Sequence, residues 1–191
     1  MKVGVLAVQG DYEAHASALQ RVGANAAFVR TVADMQGIEA LILPGGESST
    51  QLQFLQEEKL DSAIKDFSHR GGAILGTCAG AILLAREVHG PDQESLGLAD
   101  IVIERNGYGR QLASHVTQEP SKLSDRPLEM VFIRAPILES IGAEVEVLAE
   151  FEGHPILVRE KNILASTFHP ELTNDATIHE YFVKMAANGK P

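Results

Sequence analysis

The segment AILGTCAGAILLA, Ala73–Ala85, decides the fold. It contains the only cysteine of the chain, Cys78, with Gly76 two residues before it and Gly80 two residues after. A cysteine buried for packing behaves as a small apolar residue and needs no flanking glycines. A nucleophile on a sharp turn between a strand and a helix does need them, because the neighbours at these two positions must let the backbones pass. AILGT reads as a buried strand and AGAILLA as a helix, which places Cys78 at the apex of a strand–turn–helix elbow. The unpaired N–H groups of the helix start favour negative charge there.

Outward from the elbow, the runs Val3–Val8 (VGVLAV) and Ala40–Leu43 (ALIL) are nearly continuous in apolar residues. This pattern belongs to strands buried on both faces of a parallel sheet. Ala26–Val29 is a third early strand. Helical segments lie between them: Asp11–Val22, with Ala14, Ala18, Leu19 and Val22 on one face and Gly23 as a C-cap, then Ser48–Glu58, Leu60–Arg70 and Cys78–Ala85. Strand–helix alternation of this kind predicts a three-layer α/β/α domain, flavodoxin-like, with a mostly parallel central sheet and right-handed crossovers. The later runs Glu129–Ile133, Val145–Glu150, Pro155–Glu160 and Ile163–Phe168 follow one another with few helices between them, which predicts additional antiparallel strands. Asp175–Ala187 is a closing helix, and Gly107–Leu123 reads as a long loop with some strand. A chain of 191 residues fits one domain spanning 1–191.

Composition removes several function classes. A net charge of −10 and the lack of tryptophan argue against a nucleic-acid partner. No apolar run approaches the ~18 residues of a membrane span. The N-terminal MKVGVLAVQGDY is too short in apolar residues for a secretory signal and reads as the first strand. One cysteine allows no internal disulfide, in keeping with a reducing, cytoplasmic setting.

A thiolate nucleophile needs a base, and the chain offers seven histidines. His15, His69 and His179 lie in helical segments and read as partly exposed surface residues. His89 and His154 stand beside turns, and His115 falls in the loop-like stretch. No pair has metal-site spacing with other ligands, so no metal is expected. His169 differs: it follows an apolar strand in STFHPEL, with Glu171 two residues on. In an extended segment the two side chains point the same way, so Glu171 can orient the imidazole while its other nitrogen faces Cys78. Read alone, HPE is a strand-end turn; joined to the elbow it completes a nucleophile, base and orienter. A third stretch, LILPGGESST (Leu41–Thr50), ends a buried strand in two glycines. Strand ends of open α/β sheets are ligand sites, and free glycine amides there can stabilise an oxyanion. Read alone, it is a glycine turn into a helix capped by Ser48 or Ser49. A phosphate loop fits poorly, since no Lys-Ser/Thr pair follows the glycines.

The ordered set PGGE, GTCAG and FHPEL resembles the class I, triad-type glutamine amidotransferases. The blocks GVLAVQGDYEAH, LILPGGESST, GTCAGAILLA, ERNGYGRQ (Glu104–Gln111), VFIRAP (Val131–Pro136) and STFHPEL are more narrowly similar to the glutaminase subunits of pyridoxal 5′-phosphate synthases, and they span nearly the whole chain. The resemblance implies Cys78 as nucleophile, His169 as general acid/base and Glu171 as its orienter. It implies Gly45, Gly46, Glu47, Arg105, Ile133 and Arg134 as glutamine contacts, and the amides of Gly46 and Ala79 as the oxyanion hole. It also implies hydrolysis of glutamine to glutamate and ammonia without a cofactor, the ammonia passing to a synthase subunit that makes pyridoxal 5′-phosphate. Two other enzyme readings are a glutaminase serving a different ammonia acceptor and a flavodoxin-like cysteine hydrolase of the DJ-1/peptidase type. The latter shares the elbow but is not expected to carry PGGE and HPE. A non-catalytic scaffold would have no use for an intact Cys/His/Glu set.

Overall fold

The computed structural model describes residues 1–107 and 114–189. Tyr108, Gly109, Arg110 and Gln111 of the ERNGYGRQ block lie outside the described residues. The first half alternates as expected. Strand β1 (Lys2–Leu6) leads to helix α1 (Tyr12–Arg21), β2 (Asn25–Val29) and β3 (Ala40–Leu43); then come α2 (Ser48–Glu57), α3 (Leu60–His69), β4 (Ala73–Thr77) and α4 (Ala79–Leu84). The second half holds β5 (Ala85–His89), β6 (Ala99–Glu104), β7 (Ser114–Ser121), β8 (Ser124–Ile133) and β9 (Ile137–Ile141). It ends with β10 (Glu146–Phe151), β11 (His154–Glu160), β12 (Ile163–Ser166) and α5 (Thr177–Asn188).

Nine strands form one mixed sheet in the order β2-β1-β3-β4-β12-β11-β10-β7-β8. The pairings from β2 to β12 are parallel and those from β12 to β8 are antiparallel. Strands β3 and β4 are buried at every residue, which explains their lack of polar alternation. Successive side chains feed two cores. Leu41, Leu43 and Ile74 pack with Leu52, Leu55, Leu60, Ile64 and Leu83 of α2, α3 and α4. Ala40, Ile42 and Leu75 pack on the opposite face with Leu19 of α1 and Ile178 and Phe182 of α5. The outcome is the expected three-layer α/β architecture with antiparallel extension. The chain turns to opposite sides of β1 to reach β2 and β3, so the crevice beyond the ends of β1 and β3 is a switch point of the kind that holds ligands.

Some elements differ from the sequence reading. The helix after Cys78 stops at Leu84, and β5 begins at once with Ala85. Strands β5, β6 and β9 form a separate three-stranded sheet, in the order β5-β6-β9, whose Val88, Ile101, Ile103 and Leu138 join the core over α2–α4. The stretch read as loop contains β7, paired along its length with β8, which starts at Ser124 rather than Glu129. Among the described residues no helix is long and apolar enough to cross a membrane.

Candidate active site

The elbow answers the question of the paired glycines. A methyl group on Gly80 would lie 1.9 Å from Leu43 O in β3, and one on Gly76 would lie 2.6 Å from Gly80 O. The helix therefore packs backbone to backbone against β3 and β4, and only glycine fits. Cys78 has φ 49° and ψ −103°, a backbone conformation rarely adopted by L-residues. It is held there at both ends: Cys78 N donates to Ser166 O at 2.8 Å, and Ile82 N donates to Cys78 O at 3.2 Å.

His169 follows β12, and its N–H donates to Val131 O of β8 at 2.8 Å. Its Nδ1 lies 2.7 Å from Glu171 Oε1, and both side chains are buried. The backbone between them is not extended, as the sequence reading had it. Pro170–Leu172 is a 3₁₀ turn with proline at its first position. The turn brings the two side chains together where strand alternation was expected to. Burial lowers the His169 pKa, but hydrogen bonding to the Cys78 side chain and to Glu171, with the attraction of both charges, overrides it and holds the pKa at about 10. The imidazole is therefore protonated in the resting site.

Cys78 opens onto a cavity of about 140 Å³ lined by Gly46, Glu47, Ala79, Arg105, Ile133 and Arg134, among others. This is well below the ~300–1,000 Å³ of drug-sized pockets and matches a ligand of amino-acid size. Of the residues singled out from the sequence, only Gly45, His169 and Glu171 do not line it. Gly45 is buried directly against the His169 ring, and a Cβ there would lie 2.3 Å from its Cε1. Larger hollows elsewhere, such as the one bounded by Arg159, Tyr181 and Lys184, are lined by no cysteine.

Helix α2 is capped by Glu47 rather than by Ser48 or Ser49. Its carboxylate accepts from Thr50 N at 2.7 Å and from Ser49 N at 3.3 Å. Partial burial pushes the Glu47 pKa up, but these bonds and those from the Thr50 and Ser49 hydroxyls hold it at about 2. Arg105 Nη2 meets Glu47 Oε1 at 2.9 Å, so the two opposite charges of the cavity rest on each other. Gln9 and Gln51 brace the glycine loop: Glu47 N donates to Gln9 Oε1 at 2.8 Å, and Gln51 Nε2 donates to Pro44 O at 3.3 Å. Among the described residues, Asp11, His169 and Glu171 form the one group with ligand atoms close enough together for a metal ion. Within this group His169 Nδ1 and Glu171 Oε1 are 2.7 Å apart.

The SNO glutamine amidotransferase family model matches residues 5–188. This chain belongs to that family. It is 48% identical over 189 residues to the pyridoxal 5′-phosphate synthase subunit PdxT of Koribacter versatilis, covering 99% of this chain and 97% of the relative. It is 45% identical over 186 residues to the subunit of the same name from Thermotoga neapolitana, with coverages of 97% and 99%. A solved glutamine amidotransferase structure, 42% identical, superimposes with a TM-score of 0.91 over 97% of this chain and 98% of its own. PurLQS from Thermotoga maritima shares the fold alone, at 17% identity and a TM-score of 0.64 over 98% and 96% of the two chains.

In this amidotransferase three polar residues that the sequence reading did not single out, His15, Thr77 and His179, lie behind the His169–Glu171 pair. His15 and His179 are fully buried, not partly exposed. His15 Nε2 lies 3.1 Å from Thr77 Oγ1 and 3.4 Å from Glu171 Oε2, and His15 Nδ1 lies 3.0 Å from His179 Nε2. The signal was present in the helical period: His15 shares a stripe with Ala18, Leu19 and Val22, and His179 shares one with Phe182 and Ala186.

Burial lowers the pKa of both histidines from 6.5, that of His179 to about 3, despite the nearby Glu171 charge. The unfolded chain therefore binds protons that the fold refuses, and stability must fall as pH drops from 6.5 towards 3. Glu171 adds to the loss below its ordinary 4.5, because its folded pKa is also lowered against the penalty of burial. The melting temperature is expected to decline over this window, and less steeply in His179→Leu. Parallel slopes in thermal melts of the two proteins would remove His179 from the acid sensitivity.

Proposed function

We propose that this chain is the glutaminase subunit of a pyridoxal 5′-phosphate synthase, hydrolysing L-glutamine to L-glutamate and ammonia. The observation that carries this reading is the Cys78 elbow beside the His169–Glu171 pair, opening on a small cavity that holds a fixed anion, Glu47, and the cations Arg105 and Arg134. Glutamine is a zwitterion whose ammonium fits Glu47 and whose carboxylate fits the two arginines. Its entry separates the Arg105–Glu47 pair and gives each a new partner of opposite charge.

The Cys78 thiolate attacks the side-chain amide carbon, and the amides of Gly46 and Ala79 receive the oxyanion. Protonated His169 gives its proton to the departing nitrogen, the C–N bond breaks, and ammonia leaves behind a γ-glutamyl thioester. Neutral His169 then takes a proton from water, hydroxide attacks the thioester, and glutamate and the thiolate are released. Glu171 keeps the imidazole oriented through both steps. No metal or organic cofactor is required by this sequence of steps. Ammonia is mostly protonated near neutral pH, which favours direct delivery to the synthase subunit, with both proteins in the cytoplasm and residues 1–191 acting as a single glutaminase domain.

The test is glutamate release from glutamine with and without the synthase subunit of the same source. A strong rise with the partner is the expected result. Glutaminase activity indifferent to that partner would assign the ammonia to another acceptor, and turnover of peptide or glyoxal instead would move the chain to the other hydrolase class.

A further inference from the structure

The triad is not the end of the buried polar chain. Glu171 Oε1 is engaged by His169 at 2.7 Å, whereas Oε2 is fully buried and has no properly aligned hydrogen-bond partner. His15 Nε2 lies 3.4 Å from it, and the same nitrogen is 3.1 Å from Thr77 Oγ1, the residue next to the nucleophile. On its other side His15 Nδ1 meets His179 Nε2 at 3.0 Å, and His179 Nδ1 is buried without a partner.

Only one proton arrangement suits all of these atoms. A carboxylate oxygen only accepts, so the nitrogen facing Glu171 must carry the hydrogen. His15 is then the Nε2–H tautomer, and its bare Nδ1 accepts from the Nε2–H of His179. The partnerless Nδ1 of His179 is left as a lone pair. The reverse arrangement would set a lone pair against the carboxylate and bury an unpaired N–H on His179, which costs more. We infer that His15 is a positioning residue for glutamine hydrolysis: its Nε2–H, aimed by His179, bonds Thr77 beside Cys78 and sets the positive edge of the ring against the second oxygen of Glu171. Both arms of the triad, one hung from β4 and the other from the turn after β12, are thereby braced from α1.

The inference rests on the proposed glutaminase reading and deepens it. The groups facing Glu171 are His169 from its own turn, Asp11 and His15 from α1 and the turn before it, Thr77 and Cys78 from the end of β4, and His179 from α5. Of these, His15 brings a ring nitrogen to 3.4 Å from Oε2. Its loss raises the pKa of the Glu171 carboxyl and shifts the acid limb of the pH–rate profile to higher pH.

The experiment measures glutamate release by the complex with the synthase subunit, for wild type, His15→Leu, His15→Gln and Cys78→Ala. His15→Leu is expected to lose about 10- to 100-fold in kcat, the range for a hydrogen bond to a charged group, with KM for glutamine unchanged. Its acid limb moves up. His15→Gln, whose amide nitrogen reaches the place of Nε2, restores kcat and returns the limb. On wild type alone, ¹⁵N-detected imidazole spectra are expected to show the Nε2–H tautomer for both His15 and His179. A folded His15→Leu with full kcat and an unmoved acid limb overturns the inference, and so does an Nδ1–H tautomer at His15. Should His15→Leu fail to fold, the wild-type spectrum decides. Failure of the underlying reading is seen separately, as no glutamate release by wild type or as release that survives Cys78→Ala.

Discussion

Cys78→Ala is expected to abolish glutamate release while leaving the protein folded and able to bind its synthase partner. The loss of a covalent nucleophile from an acid–base constellation is on the order of 10⁶-fold in kcat, which here means background. No second cysteine exists to substitute for it. The structural cost is small: besides its interaction with His169 the sulfur makes a weak contact, 3.9 Å from Ile133 O, and the main-chain bonds to Ser166 and from Ile82 are unaffected by the side chain. A change of about 1 kcal/mol or less in stability follows. The variant also removes one of the partners that hold His169 protonated, so the imidazole must titrate below the value of about 10 that it has beside the sulfur. Glutamate assays, thermal melts and histidine NMR read these three effects independently. Retained turnover would take Cys78 out of the mechanism altogether.

Gly80→Ala is expected to have the largest effect on the fold. The added methyl meets Leu43 O at 1.9 Å, Leu43 C at 2.7 Å and Leu43 Cβ at 3.0 Å. Two of these are backbone atoms of a strand buried on both faces, so no side chain can swing away to make room. Either α4 lifts or β3 shifts. Overpacking of this kind costs about 3 kcal/mol, a fall in Tm of roughly 6–12 °C for a chain of this size. Because α4 begins directly after Cys78, the same displacement moves the nucleophile, and glutaminase activity must fall along with stability. An alanine variant with the wild-type melting temperature would show that the elbow is looser than its contacts indicate.

How far the sequence could be read depended on what kind of signal each element carried. Strands β1, β3 and β4 were legible because burial on both faces leaves an unbroken apolar run, and the elbow because its glycines have a steric reason to be there. The small sheet was not legible. The α4–β5 junction has no glycine, proline or polar cluster between Leu84 and Ala85, and strands such as AREVH and ILESI carry too little apolar character to stand out. The pairing of His169 with Glu171 was correctly anticipated from their spacing, although a 3₁₀ turn and not an extended chain achieves it. His15 and His179 were passed over because a helical histidine is usually a surface residue. Their place on the apolar stripes of α1 and α5 is the physical signal of their burial.

The two sheets contribute unequally to the proposed site. In the proposed mechanism the reacting groups hang from strand ends of the large sheet: Cys78 from β4, and His169 and Glu171 from β12. Arg105 instead follows β6 of the small sheet, and Arg134 lies on the crossing from β8 to β9, near the register point that sets Glu104 opposite Ile137. Arg105 is thus the proposed glutamine contact mounted on the small sheet, whereas Glu47 follows β3 and Arg134 follows β8 of the large one. A change in the length or twist of β6 is therefore expected to reach Arg105 directly, and to reach Cys78 only through the core that the small sheet shares with α4.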